Sequence, residues 1–212
     1  MSGIFITLEG PDGSGKSTIT EFIVEYLKDL NIDFIVTREP GGTSIGEDIR
    51  NIILDKKNIN MSPRTEALLY AASRSQHVYE KIRPALEEGK VVLSERFVLS
   101  SLVYQGIGRG LGVLDVKAIN DFAIEGVNPD LTLFFDIDPV KALSRKTGEN
   151  SGDRLEMEGV NFHREVYNGY LKLISMYPEN IKVIDASKSI EETFEEVKNE
   201  LDKILKKGGL VK

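Results

Sequence analysis

The feature that most constrains this chain is the stretch Gly10-Pro11-Asp12-Gly13-Ser14-Gly15-Lys16-Ser17, placed directly behind the apolar run Ile4-Phe5-Ile6-Thr7-Leu8. Glycines so dense do not belong inside a strand or helix, where each costs about 0.5–1 kcal/mol relative to alanine. The stretch fits G-x-x-x-x-G-K-[ST], and a helical pattern follows it. In that setting backbone N–H groups wrap phosphates and the lysine reaches the β and γ groups. The helix start aims its unpaired N–H groups and positive dipole end at the same anion. Gly10, Pro11, Asp12, Gly13, Ser14, Gly15, Lys16, Ser17 and Thr18 are therefore candidate contacts for ATP or a related triphosphate, with Ser17 a ligand for Mg²⁺.

Composition removes other chemistries. The chain has no cysteine and only two histidines, His77 and His163, which excludes disulfides, thiolate metal sites and a His-rich zinc site. Neither histidine has a partner at catalytic spacing, and both read as structural. A formal charge of −7 denies the chain a basic footprint for long nucleic acid. No apolar run approaches the roughly 20 residues that span a bilayer, and the chain reads as soluble and cytoplasmic.

Short apolar runs alternate with helical patterns over the 212 residues. Strands are expected near 4–8, 33–37, 90–95, 131–136 and 181–185, several of them apolar throughout, as strands buried on both faces are. The alternation predicts a three-layer α/β/α fold around a five-stranded parallel sheet, in a single domain over 1–212. Helix starts are legible at Ser62-Pro63, at Asp138-Pro139 and in the capping box Ser189-Ile190-Glu191-Glu192. The polar stretch 146–159 reads as a mobile lid, or as a plain loop.

A phosphate loop does not by itself separate a kinase from a switch GTPase or an ATPase. Arg38, Arg50, Arg74 and Arg96 fall near the ends of predicted elements, and loops at the carboxyl ends of strands converge on the ligand crevice of such sheets. Several guanidinium forks on one rim suggest a second phosphorylated molecule facing the triphosphate. Tyr70 and Arg74, one turn apart, suit a base that is stacked and bonded at its edge. Ser101, Tyr104 and Gln105 supply further partners or form a polar loop. Arg145, Lys146 and Arg154 flank the lid candidate, where cations would stabilise charge on a transferred group.

Taken together, "EGPDGSGKST", "TREPGGT", "EALLYAASR", "ERF", "SSLVYQG" and "DRLE" resemble the thymidylate kinase family, in its bacterial-type subgroup, and occur in that family's order over most of the chain. The resemblance implies a P-loop NTPase fold, conversion of dTMP to dTDP with Mg²⁺ and ATP on the way to dTTP, and a homodimer. It implies ATP held by Lys16 and the loop, and acceptor-phosphate contacts at Arg38, Arg50 and Arg96 with Glu39 beside them. It further implies Asp12 at the sugar, Tyr70 on thymine, Arg74 at O4, Ser101 and Gln105 at the other base edge, and Tyr104 near C2′. Lys16, Arg96, Arg145, Arg154 and Asp12 would act in catalysis. The family generally carries Asp-Arg where this chain has Glu95-Arg96, and the extra methylene leaves direct metal contact by Glu95 open. Two alternatives remain: a kinase for another nucleoside monophosphate, and a nucleotide-dependent switch or ATPase without an acceptor. A switch GTPase lacks support, because the chain has no N-K-x-D motif of the kind that reads guanine, and hydrolysis indifferent to any monophosphate would mark the second class.

Overall fold

The computed structural model describes residues 3–146, 152–155 and 157–211, so part of the lid expectation over 146–159 lies outside the described residues, as does the side chain of Lys146. Among the described residues five strands form one sheet: β1 (Ile4–Glu9), β2 (Phe34–Arg38), β3 (Val91–Glu95), β4 (Leu131–Asp136) and β5 (Ile181–Asp185). All neighbours are parallel, in the order β2-β3-β1-β4-β5. The three central strands are buried almost throughout, whereas the edge strands β2 and β5 each expose two residues. This is the pattern expected when helices cover both faces.

Strand residues alternate between the two faces of the sheet. Ile4, Ile6 and Leu8 join Leu131, Leu133 and Phe135 in one cluster with Ile19, Ile23 and Leu27 of α1 (Lys16–Asp29) and Val197, Leu201 and Leu205 of α9 (Ile190–Lys207). Phe5 and Phe134 point the opposite way. Phe5 meets Phe97 edge-on at 4.9 Å, and Phe134 packs on Tyr170 of α8 (Val160–Met176). The capping box at Ser189 is present in full, Ser62 caps α3 (Pro63–His77), and Asp138 accepts from two N–H groups at the start of α7 (Pro139–Lys146).

The stretch after β3 is helical where a polar loop was one expectation. A single turn, α5 (Val98–Ser101), runs into a π-helical segment over Leu102–Gly108. Its apolar side chains Leu102 and Val103 reach the core shared with α8, and that burial outweighs the helix-weakening glycines Gly106 and Gly108. Further helices are α2 (Ser44–Leu54), α4 (Arg83–Glu87) and α6 (Val113–Ile124). After β1 the chain builds β2 and β3 on one side, then crosses to β4 and β5 on the other. The reversal opens a crevice at the carboxyl ends of β1, β3 and β4, where ligands bind in such sheets.

Candidate active site

The phosphate loop fills the turn from β1 to α1. Gly13 has φ +79°, and a Cβ there would lie 2.1 Å from the carbonyl oxygen of Ala142, so α7 packs where only glycine leaves room. The Lys16 ammonium donates to the carbonyls of Gly10 (3.1 Å) and Pro11 (2.7 Å) and to Ser14 Oγ (3.3 Å). Burial together with the Arg96 charge lowers its pKa to about 7, against the opposing pull of Asp12, Glu95 and Glu9. Ser17 Oγ donates to Glu95 Oε2 at 3.0 Å. The end of β3 is thereby joined to the loop.

Two cavities meet here. The larger, about 750 Å³, is bounded by residues 12–19 of the loop and α1, by Arg145, and by the Ala186–Ile190 segment after β5. The smaller, about 140 Å³, is bounded by Tyr70, Arg74, Ser101, Tyr104 and Gln105. Asp12, Glu39, Arg50 and Arg96 line both.

Arg96 sits at the junction with φ +69°, an uncommon conformation for a side-chain-bearing residue. The turn that imposes it is fixed by Glu9, which is fully buried at the end of β1. One Glu9 oxygen accepts from the N–H groups of Phe97 (2.8 Å) and Ser100 (3.3 Å), and the other from Ser100 Oγ (2.5 Å) and the Tyr170 hydroxyl (3.0 Å). Burial pushes the Glu9 carboxyl up, opposed by Arg96 and these hydrogen bonds. The Arg96 guanidinium donates to Ser100 Oγ at 3.0 Å and Asp12 Oδ1 at 2.6 Å, and lies over the Tyr104 ring at 5.3 Å. A cation is thus held pointing into both cavities at once.

The smaller cavity is walled by a buried ion pair, Arg74 with Glu39, and the residues that bond to it. Glu39 Oε2 accepts from Arg74 Nε at 2.7 Å, and Glu39 Oε1 lies 3.0 Å from His77 Nδ1. Arg74 Nη1 donates to Ser101 Oγ at 3.0 Å and to Asn120 Oδ1. His77, whose other ring nitrogen meets Thr37 Oγ1 at 2.6 Å, is structural as expected, yet it supports the carboxylate that orients Arg74. His163 is buried in α8, away from both cavities. Tyr70 is half-buried against the cavity, and burial with the nearby Glu66 charge keeps its hydroxyl protonated well above the ordinary range.

The remaining expected residues divide. Arg50 Nη1 donates to the carbonyl of Pro40 at 2.9 Å, and Arg38, half-exposed, pairs with Glu47 at 3.0 Å; both line the larger cavity. Gly10 and Pro11 hold Lys16 and do not themselves line that cavity, while Thr18 does. Arg145 Nη1 donates to the Ala186 carbonyl at 3.1 Å on its rim. Arg154 is not brought to the phosphate loop. Its Nε donates to Ile53 O at 2.8 Å and its Nη2 to Glu66 Oε2 at 2.6 Å, beside the smaller cavity.

Sequence reasoning missed Glu9, Tyr170, Glu66 and Asn120, whose partners are distant in the chain. It also missed the Ala186–Ile190 rim. That rim was findable, because it leaves the carboxyl end of a strand already placed.

Such a sheet, with a phosphate loop at the head of α1 and an arginine shared with a second, base-sized cavity, defines a P-loop phosphotransferase of the nucleoside monophosphate kinase class. The family model described as Thymidylate kinase matches residues 8–197. The chain belongs to the thymidylate kinase family. It is 59% identical over 191 residues to a thymidylate kinase of Finegoldia magna, covering 90% of this chain and 94% of that one. It is 54% identical over 198 residues to one of Clostridium novyi, covering 92% and 97%. The crystal structure of thymidylate kinase from Ehrlichia chaffeensis superposes with a TM-score of 0.77 at 31% identity, covering 95% of this chain and 99% of that one.

Proposed function

We propose that this chain transfers the γ-phosphoryl group of ATP to the phosphate of dTMP, giving dTDP and ADP. The observation that carries the reading is the pair of cavities joined through Asp12 and Arg96. One is walled by a phosphate loop and the other by an aromatic ring and a buried arginine. In direct transfer an oxygen of the acceptor phosphate attacks the γ-phosphorus as the bond to the bridging oxygen of ADP breaks. Such a reaction asks for alignment and charge neutralisation more than for a protein nucleophile.

Lys16 and the loop N–H groups take the β and γ phosphates, and the Ala186–Ile190 rim takes the nucleoside of ATP. Tyr70 stacks on the thymine, Arg74 donates to its O4, and Ser101 and Gln105 meet the adjoining edge. Tyr104 lies against the sugar, where it disfavours a 2′-hydroxyl, and Asp12 takes the 3′-hydroxyl. Arg38, Arg50 and Arg96 grip the acceptor phosphate, with Glu39 fixing the wall behind. Arg96, held by Glu9 and Asp12, spans the line of transfer.

The oxygens of Ser17 and Glu95, 3.0 Å apart, fit a hard cation that keeps most of its shell as water and phosphate. Mg²⁺ bound there would neutralise charge between the β and γ phosphates. Arg145 lines the triphosphate cavity, and Arg154 would reach it only after leaving Glu66. We read 1–212 as one catalytic unit, paired in a homodimer through large exposed apolar side chains on packed helices: Leu68 of α3 at 57% and Phe122 of α6 at 86% exposure.

The test is ADP release from Mg·ATP with dTMP, dUMP, dCMP, dAMP or no acceptor. Release that requires dTMP, with dTDP as product, is expected. Release indifferent to the acceptor would sink the proposal.

A further inference from the structure

We infer that Glu66, which touches neither substrate in the reading above, decides which base edge the smaller cavity accepts. Glu66 of α3 is 1% exposed, and its carboxylate receives donors from three residues. Gln105 Nε2 donates to Oε1 at 2.9 Å, Arg154 Nη2 to Oε2 at 2.6 Å, and Arg109 Nη2 to Oε2 at 3.2 Å. A side-chain amide can turn either its NH₂ or its oxygen toward a neighbour, whereas an ionised carboxylate only accepts. Facing Glu66, the Gln105 amide must therefore present its NH₂ to the carboxylate, which commits Oε1 to the other side. Gln105 lines the cavity, and Oε1 receives no hydrogen bond from any described residue.

The neighbouring group is fixed in the opposite sense. Arg74 is a donor only, clamped by Glu39, Ser101 and Asn120. Both residues line the cavity, and Arg74 Nη2, 2.6 Å from Glu39 Oε2, keeps a second hydrogen to donate, so the wall offers a donor and an acceptor with neither free to invert. Its complement is a base edge carrying a carbonyl next to a ring N–H, as in the O4 and N3–H of thymine. Cytosine presents NH₂ beside an unprotonated nitrogen, so both pairs would clash in polarity. A buried polar group left facing its like discriminates far more strongly than a change of shape. Glu66 is thus a positioning residue for specificity, acting through Gln105.

The inference rests on the nucleotide reading above, and its test separates the two. Thymidine monophosphate and 5-methyl-dCMP share ring, methyl and sugar and differ only in that edge. Their dissociation constants, measured by calorimetry, give a selectivity ratio that does not depend on turnover. E66Q, whose own amide frees Gln105 to invert, is expected to lower the ratio at least about tenfold. The double variant E66Q/R109M removes one of the two cations that lose the Glu66 carboxylate, and carries the same expectation should E66Q alone not fold. R109M removes two hydrogen bonds to Glu66 while leaving the carboxylate that orients Gln105, and should keep the wild-type ratio. Equal weakening of both ligands by E66Q or the double variant, or a fall in R109M as large as theirs, would overturn the inference. An intact ratio pattern with no dTMP turnover in the wild type would instead count against the kinase reading alone.

Discussion

At the scale of single residues, the site is organised by groups whose charge is held at a cost. Lys16, lowered to about 7 by burial and by Arg96, is about half protonated at neutral pH. A bound triphosphate favours the ammonium, so binding should draw in protons. The sign follows from linkage: little uptake near pH 6, where the lysine is already charged, about half a proton at pH 7, and close to one at pH 8. Affinity for Mg·ATP should accordingly fall as pH rises through 7. Calorimetry in buffers of different ionisation enthalpy would count the protons, and zero uptake at pH 8 would contradict the shift. Tyr170 tests the support of Arg96. Tyr170→Phe removes a hydroxyl that meets Glu9 and lies within 3.4 Å of Arg96 Nη1. It should lower kcat several-fold with little change in KM for ATP, whereas a uniform loss of both affinities would point to general loosening. Lys16 and Arg96 are legible in the sequence, but the support given to Arg96 by Glu9 and Tyr170 is not. Glu9 and Tyr170 are separated by 161 residues, and a buried carboxylate looks like any other until its partners are known.

At the scale of elements, legibility follows the range of the interactions. The five strands were readable to within about a residue at each end, the central three because burial on both faces writes a continuous apolar run and the edge two because they are short and rich in Ile, Val and Phe. The caps at Ser62 and Ser189 were readable because their bonds close within three residues. The helical course of 98–108 was not, since its reward is burial against α8, some sixty residues later. Two predictions belong here. Ser189→Ala breaks the capping box of α9 and should cost about 1 kcal/mol by urea denaturation. Because Ser189 also lines the larger cavity, KM for ATP should rise modestly as well. Gly13→Ala places a methyl against the Ala142 carbonyl at a backbone angle that suits glycine. It should abolish detectable ATP binding while leaving the far-UV dichroism of the sheet and helices in place.

At the scale of the whole molecule, the described surface and the interior tell different stories. Phe122, at 86% exposure on α6, is out of place on a lone chain with a charge of −7. Phe122→Glu should convert the species seen by sedimentation to one near the 23.6 kDa of a single chain. If the wild type already sediments at that mass, the homodimer proposal is wrong.

The joining of two cavities through four shared residues has a consequence for molecules other than the natural pair. Separate ligands each surrender translational and rotational freedom on arrival, a penalty that takes up much of the interaction energy of small ligands. A single compound with a thymidine at one end and an adenosine at the other, tethered by a phosphate chain of the right span, would incur that penalty once. Its affinity should approach the product of the two separate affinities scaled by the tether's effective concentration. Tether length would then act as a ruler for the gap between the bases, with binding tightest at the chain that matches the distance across Arg96.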